Sequence, residues 1–165
     1  MMIQNEERKV VFVAHCILNQ YARAIGVKAI MIPLITPLLR FLMDMRCAII
    51  QMPCPEVEYE GLFRIASGKR RYDTPEYRAI CRRIATDVTD LIIKYKDADF
   101  KIIILGVDGS PSCGVNFWGR GWMKGKGIFI EELEDLLKNK NVDIPFVGVN
   151  IMRIRETIRE LSELL

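Results

Sequence analysis

Four short apolar runs frame the chain: Lys9–His15, Cys47–Met52, Lys101–Val107 and Pro145–Asn150. They are rich in Val and Ile and too short to be buried helices, so each reads as a strand. Their apolar residues are near-continuous rather than alternating, the pattern of strands covered on both faces. Between the runs, the spacing is helical. Leu34, Leu38, Phe41, Leu42 and Met45 repeat over 34–46, with Pro33 and Pro37 near the start, where proline is tolerated. Thr74-Pro75 supplies an N-cap followed by proline at the first helical position. Tyr77, Ile80, Ile84, Val88, Leu91 and Tyr95 then form one apolar face. Helices are expected again over 129–138 and 153–165. This alternation implies a three-layer αβα arrangement over 1–165, with a mostly parallel sheet, right-handed crossovers and helices on both faces. At 165 residues, half of them hydrophobic, the chain is long enough for such a core.

No apolar run reaches the roughly 18–20 residues that span a bilayer. Met31–Met45 comes nearest and contains two prolines, Arg40 and Asp44. The first nine residues are charged and lack a signal-peptide core. The expectation is a cytoplasmic protein without a membrane partner. A net charge of +3 does not by itself argue for nucleic acid. The five cysteines are an odd number and contain no C-x-x-C pair, which favours catalytic or metal-binding thiols over a disulfide framework. The single histidine, His15, makes a His-based triad hard to build.

Parallel strands bring their C-terminal ends to one edge, where open α/β sheets bind ligands. Cys16, Cys54 and Cys113 each stand just past an expected strand end. Cys113 lies in Gly109-Ser110-Pro111-Ser112-Cys113-Gly114, directly after the third strand. By itself that stretch reads as a nucleophile turn, a metal-ligand turn or a plain tight turn. A phosphate cradle is also conceivable, although the Gly-Lys-Ser/Thr ending of a P-loop is missing. Three convergent thiols suit a soft metal, and with one histidine an iron–sulfur cluster fits better than catalytic zinc. Three ligands would leave one iron open as a Lewis acid. Cys47 and Cys81 read as small core residues.

Cys16-Ile17-Leu18, Arg23, Gly26, Cys54-Pro55-Glu56 and Ser110-Pro111-Ser112-Cys113-Gly114 together resemble the DUF523 family, which includes desulfidases of the 2-thiouracil desulfurase (TudS) type. The likeness runs from about Val10 to Asn150 and implies a Rossmann-like single domain. It implies a [4Fe-4S] cluster held by Cys16, Cys54 and Cys113, and an unligated iron that takes sulfur from a thiolated pyrimidine, with hydrosulfide released. It makes Glu56 the candidate acid/base. Ser110 and Ser112 become candidates to orient the substrate or hydrogen-bond cluster sulfur. The chain departs from the family pattern at Asn19, Ala22, Ala24-Ile25 and Val107.

The expected substrate is a small thiolated nucleobase or nucleoside, with tRNA as a possible partner. Trp118 and Trp122 are candidates to stack on a pyrimidine. Arg64, Lys69, Arg70, Arg71, Arg120, Lys124 and Lys126 read either as a basic rim for a nucleotide or tRNA, or as a solvated basic loop. Asp108 reads as a turn aspartate, or as a second acid/base. The competing readings of the whole chain are an iron–sulfur sensor or binding module without turnover, and a tRNA-thiolation partner.

Overall fold

The computed structural model describes residues 7–27 and 32–165, without the side chains of Ile32 and Pro33. Residues 1–6 of the charged N-terminal stretch, Lys28 and Met31 lie outside the described residues. The main sheet consists of β1 (Lys9–Val13), β2 (Ala48–Gln51), β3 (Lys101–Val107) and β6 (Phe146–Val149), all parallel, in the order β2-β1-β3-β6. Helix α2 (Ile32–Asp44) connects β1 to β2, α5 (Pro75–Asp97) connects β2 to β3, and α6 (Ile128–Asn139) lies between β3 and β6. After β6 comes α7 (Ile154–Leu164). Helix α5 packs on α6 and α2 packs on α7, so helices cover both sides of the sheet in a three-layer αβα arrangement.

The core confirms the reason the strands are apolar throughout. Val10–Val13 and Ile102–Leu105 are buried, and β3 continues buried through Val107. β2 differs: Ala48 and Gln51 are exposed and Ile49 and Ile50 only half-buried, because it is an edge strand rather than a covered one. The first strand also stops sooner than its composition suggests. It ends at Val13, and His15 and Cys16 open a one-turn helix α1 (His15–Leu18), followed by a 3-10 turn over Gln20–Ala22. Between β2 and α5 lie two short helices, α3 (Pro55–Glu60) and α4 (Lys69–Tyr72). The Gly- and Trp-rich stretch after Cys113 is partly an antiparallel hairpin, β4 (Phe117–Trp118) with β5 (Met123–Lys124). Pro37 sits inside α2 rather than in its first turn. The N-cap of α5 is as expected: the Thr74 hydroxyl accepts from the Tyr77 N–H at 3.2 Å.

β3 is braced directly against the turn that carries Cys113. The Val107 N–H donates to the Cys113 carbonyl at 2.8 Å. A Cβ at the preceding Gly106 would overlap that carbonyl oxygen and crowd Val115 Cγ2. Gly106→Ala is therefore expected to cost about 1–3 kcal/mol, the range for overpacking a tight interior site. Urea unfolding measures this. A midpoint equal to wild type would show that the turn yields freely.

Candidate functional site

The strand order reverses direction between β1 and β3, the position at which open α/β sheets form a crevice at their carboxyl ends. Cys16 follows β1, Cys54 follows β2 and Cys113 follows β3, three adjacent strands. All three cysteines line one cavity of about 820 Å³, together with His15, Arg23, Glu56, Arg64, Asp108, Ser110 and Trp122, among others. Cys47 is not in that wall, and Cys81 is a buried core residue of α5.

Each cysteine is held by a local device. The Ala14 N–H donates to the Leu105 carbonyl at 2.8 Å, tying the end of β1 to β3 just before Cys16. The Gln20 amide reaches back to the Cys16 carbonyl. Cys54 is the N-terminal cap residue of α3. The Cys113 turn is closed by Ser110, whose hydroxyl accepts from the N–H groups of Ser112 (3.2 Å) and Cys113 (2.9 Å). The first turn of α6 donates to the same turn, Ile128 N–H to Pro111 (3.0 Å) and Ile130 N–H to Ser112 (3.2 Å), so helix donors without a side-chain cap are used to pin the loop. Gly127 allows this approach, since a Cβ there would run into the Ser112 backbone.

Burial governs the thiols. It pushes Cys16 up to about 11, with the nearby Arg23 charge pulling the other way and Cys54 and Glu56 adding to the rise. Burial, then the neighbouring Cys54 and Cys16, holds Cys113 well above the usual thiol range. Cys54 is raised by burial too, partly offset by the Val57 N–H at its sulfur. The three thiols thus sense one another, and each keeps its proton until a cation compensates the thiolate. That donor chemistry fits a soft metal centre. Among the described residues no three His, Cys, Asp or Glu side chains close on a point that a single ion could occupy. A polynuclear cluster puts each thiolate on a different metal atom and does not require such closure.

Beside the cysteines runs a buried chain of hydrogen bonds. The Ser112 hydroxyl donates to Glu56 Oε1 at 2.8 Å, and Arg64 Nε donates to Glu56 Oε2 at 3.0 Å. Tyr77 Oη lies 2.6 Å from Ser112 Oγ, and because Ser112 spends its proton on Glu56, Tyr77 is the donor there. The ion pair is almost fully enclosed, with side chains 5% exposed for Arg64 and 9% for Glu56. Glu56 and Ser110 face the cavity, whereas Ser112 reaches it through Glu56.

The other expected residues divide between the cavity wall and its surroundings. Asp108 is a turn organiser: Oδ1 accepts from the N–H groups of Val115 (3.0 Å) and Asn116 (2.9 Å), and Oδ2 from the Asn116 amide (3.1 Å). His15 also faces the cavity, with Nε2 at 3.4 Å from the Asn19 amide. Of the two tryptophans, Trp122 lines the cavity, while Trp118 packs under Lys69. The basic rim is largely spent within the chain. Arg64 pairs with Glu56, Lys69 with Glu131, Arg71 with Glu60, and Lys126 with Glu134. Arg64, as the partner of Glu56, and Tyr77, as the partner of Ser112, are the site residues that sequence patterns did not single out in these roles. The one available signal was a lone arginine eight residues after a buried-motif glutamate.

No helix among the described residues is long and apolar enough to cross a membrane. No family model matches the chain. An uncharacterized protein of Methanocaldococcus jannaschii is 29% identical over 137 residues, 83% of each chain. Among solved structures the chain is similar to a [4Fe-4S]-dependent thiouracil desulfidase, TudS (DUF523Vcz), with a TM-score of 0.51 and 20% identity, covering 96% of this chain and 99% of that one. At that identity the likeness speaks for the fold.

Proposed function

We propose that this chain is an iron–sulfur-dependent desulfidase of thiolated nucleobases, with Cys16, Cys54 and Cys113 as the ligands of a [4Fe-4S] cluster. The observation that carries the reading is the meeting of three thiols from three adjacent strand ends in one cavity whose wall also holds Glu56. The full-length structural likeness to TudS supports it, as does the DUF523-like set of motifs. When bound, such a cluster supplies a Lewis-acidic iron without a protein thiolate, suited to polarising a thiocarbonyl.

The remaining work falls to the chain. Each Glu56 oxygen already accepts one hydrogen bond, and a carboxylate oxygen has a second lone pair free. Glu56 is therefore the base that takes a proton from water as the water oxygen attacks the thiocarbonyl carbon. The C–S bond breaks, the nucleobase carries oxygen in place of sulfur, and the sulfur takes the second water proton and leaves as hydrosulfide. Nothing is oxidised or reduced overall. Ser112, Tyr77 and Arg64 hold the carboxylate in place. Trp122 offers an aromatic face to the ring.

The test is anaerobic reconstitution with iron and sulfide, followed by an assay of hydrosulfide release from 2-thiouracil, 4-thiouracil, thiouridine and thiolated tRNA. About four irons per chain and turnover of at least one free base or nucleoside are expected. Release from tRNA alone would move the reading to a tRNA enzyme. A fully loaded protein that releases nothing would leave a cluster-binding module in its place.

A further inference from the structure

Arg23 is an electrostatic anomaly. It lines the same cavity as the three cysteines, and its Nε and Nη1 are closed to solvent with no hydrogen-bond partner among the described residues. Buried guanidinium donors are expensive to leave unmet, and nearly all buried polar groups find a partner. The other cations of the cavity wall are already engaged. Arg64 holds Glu56 and the Gly61 carbonyl, and Arg120 is exposed and donates to the Gly26 carbonyl at 3.3 Å. The carboxylates of the wall are engaged too. Glu56 accepts from Ser112 and Arg64, and Asp108 from the 115–116 turn and the Asn116 amide. No carboxylate of the wall answers Arg23.

We infer that Arg23 is the cation that balances the charge of the anionic group held by the three cysteines, and so positions and retains that group. The inference rests on the three-thiol reading above. Three thiolates around an iron–sulfur core leave a net negative charge at this wall. An unmet guanidinium in the same wall is the complement of that charge, and charge-assisted hydrogen bonds to it are the strong kind. The local chain makes ligand and cation one unit. Arg23 follows the 3-10 turn whose Gln20 holds the Cys16 carbonyl, and it precedes Ile25, which is bridged to Ile65. Cys16 and Arg23 are thus set at a fixed spacing before any metal arrives.

The two states of the protein then respond in opposite directions, which a merely structural arginine would not do. In Arg23→Met the apo protein loses two unmet buried guanidinium nitrogens and keeps an apolar stem. It is expected to melt about 2–4 °C above apo wild type. After anaerobic reconstitution the same variant is expected to lose iron to a chelator about tenfold faster or more, the effect of one charge-assisted hydrogen bond. Arg23→Lys keeps the charge without the fork and falls between the two. Apo Arg23→Met melting below wild type, or failing to fold, would make Arg23 a structural residue and overturn the inference. Iron loss at the wild-type rate, with a raised KM for the thiolated base, would make it a substrate contact and overturn it as well. If wild-type protein takes up no iron and sulfide, the three-thiol reading falls first and this inference falls with it. If wild type loads normally, only the inference is at stake.

Discussion

Cys113→Ala is expected to yield a folded protein that retains almost no iron or sulfide after anaerobic reconstitution and releases no hydrosulfide from any thiolated base. The turn carrying Cys113 is held by backbone groups and the Ser110 hydroxyl rather than by the thiol, so removing the sulfur leaves the scaffold in place. The stability cost should stay near 1 kcal/mol, the scale of a small truncation in a core. Cys16→Ala and Cys54→Ala should give the same loss, because a three-ligand site with one ligand removed loses its closure on the cofactor. Cys81→Ala is the sharpest control. Cys81 is fully buried and close enough to Cys113 to raise its pKa, yet it belongs to the packed face of α5 and not to the cavity wall. Cys47→Ala should be equally silent. Iron and sulfide content per chain, with circular dichroism for the fold, decides the matter. Full loading of Cys113→Ala would remove it from the ligand set, and loss of iron in folded Cys81→Ala would put that thiol into it. Loading of wild type should also weaken as the pH falls, since burial raises all three thiols and each must release its proton to bind metal.

The placement of these thiols was legible because it follows from strand period and topology alone. Apolar runs of strand length that alternate with helical patterns specify a parallel sheet, and residues just past such strands share an edge whatever the intervening sequence. The length of β3 and the Thr74 cap were readable for the same local reasons. What could not be read depends on side chains meeting across the fold. Arg64 has the composition of a basic loop, and only the return of the chain after α3 brings it under Glu56. Tyr77 fits the apolar face of α5 in any helical projection. Its hydroxyl matters because α5 passes behind the Ser112 turn. The edge position of β2, which leaves two of its residues exposed, was hidden by its Ile content. Asp108 and Ser110 both accept from loop N–H groups while lining the cavity, and those partners show only once the turn is folded.

Glu56→Gln is expected to lower the rate of hydrosulfide release by about 10²–10⁴, the usual contribution of a positioned base, while iron content stays at the wild-type level. The hydrogen-bond chain can survive the change. The new amide oxygen still accepts from Arg64. The amide nitrogen donates to Ser112, whose hydroxyl then turns its proton toward Tyr77. What is lost is the negative charge and with it the capacity to take a proton from water. The charge loss also strands Arg64, whose side chain is 5% exposed, and breaking such a pair from one side costs about 3–5 kcal/mol. A lower melting temperature is therefore expected alongside the lower rate, and the two effects must be separated. The double variant Glu56→Gln, Arg64→Met removes the stranded charge and should recover much of the stability, because replacing both members of a buried pair is far milder than removing one. It should recover none of the rate. If hydrosulfide release returned together with stability in the double variant, Glu56 would be a structural partner of Arg64 and the base would have to be sought among the other groups of the cavity wall, His15 first.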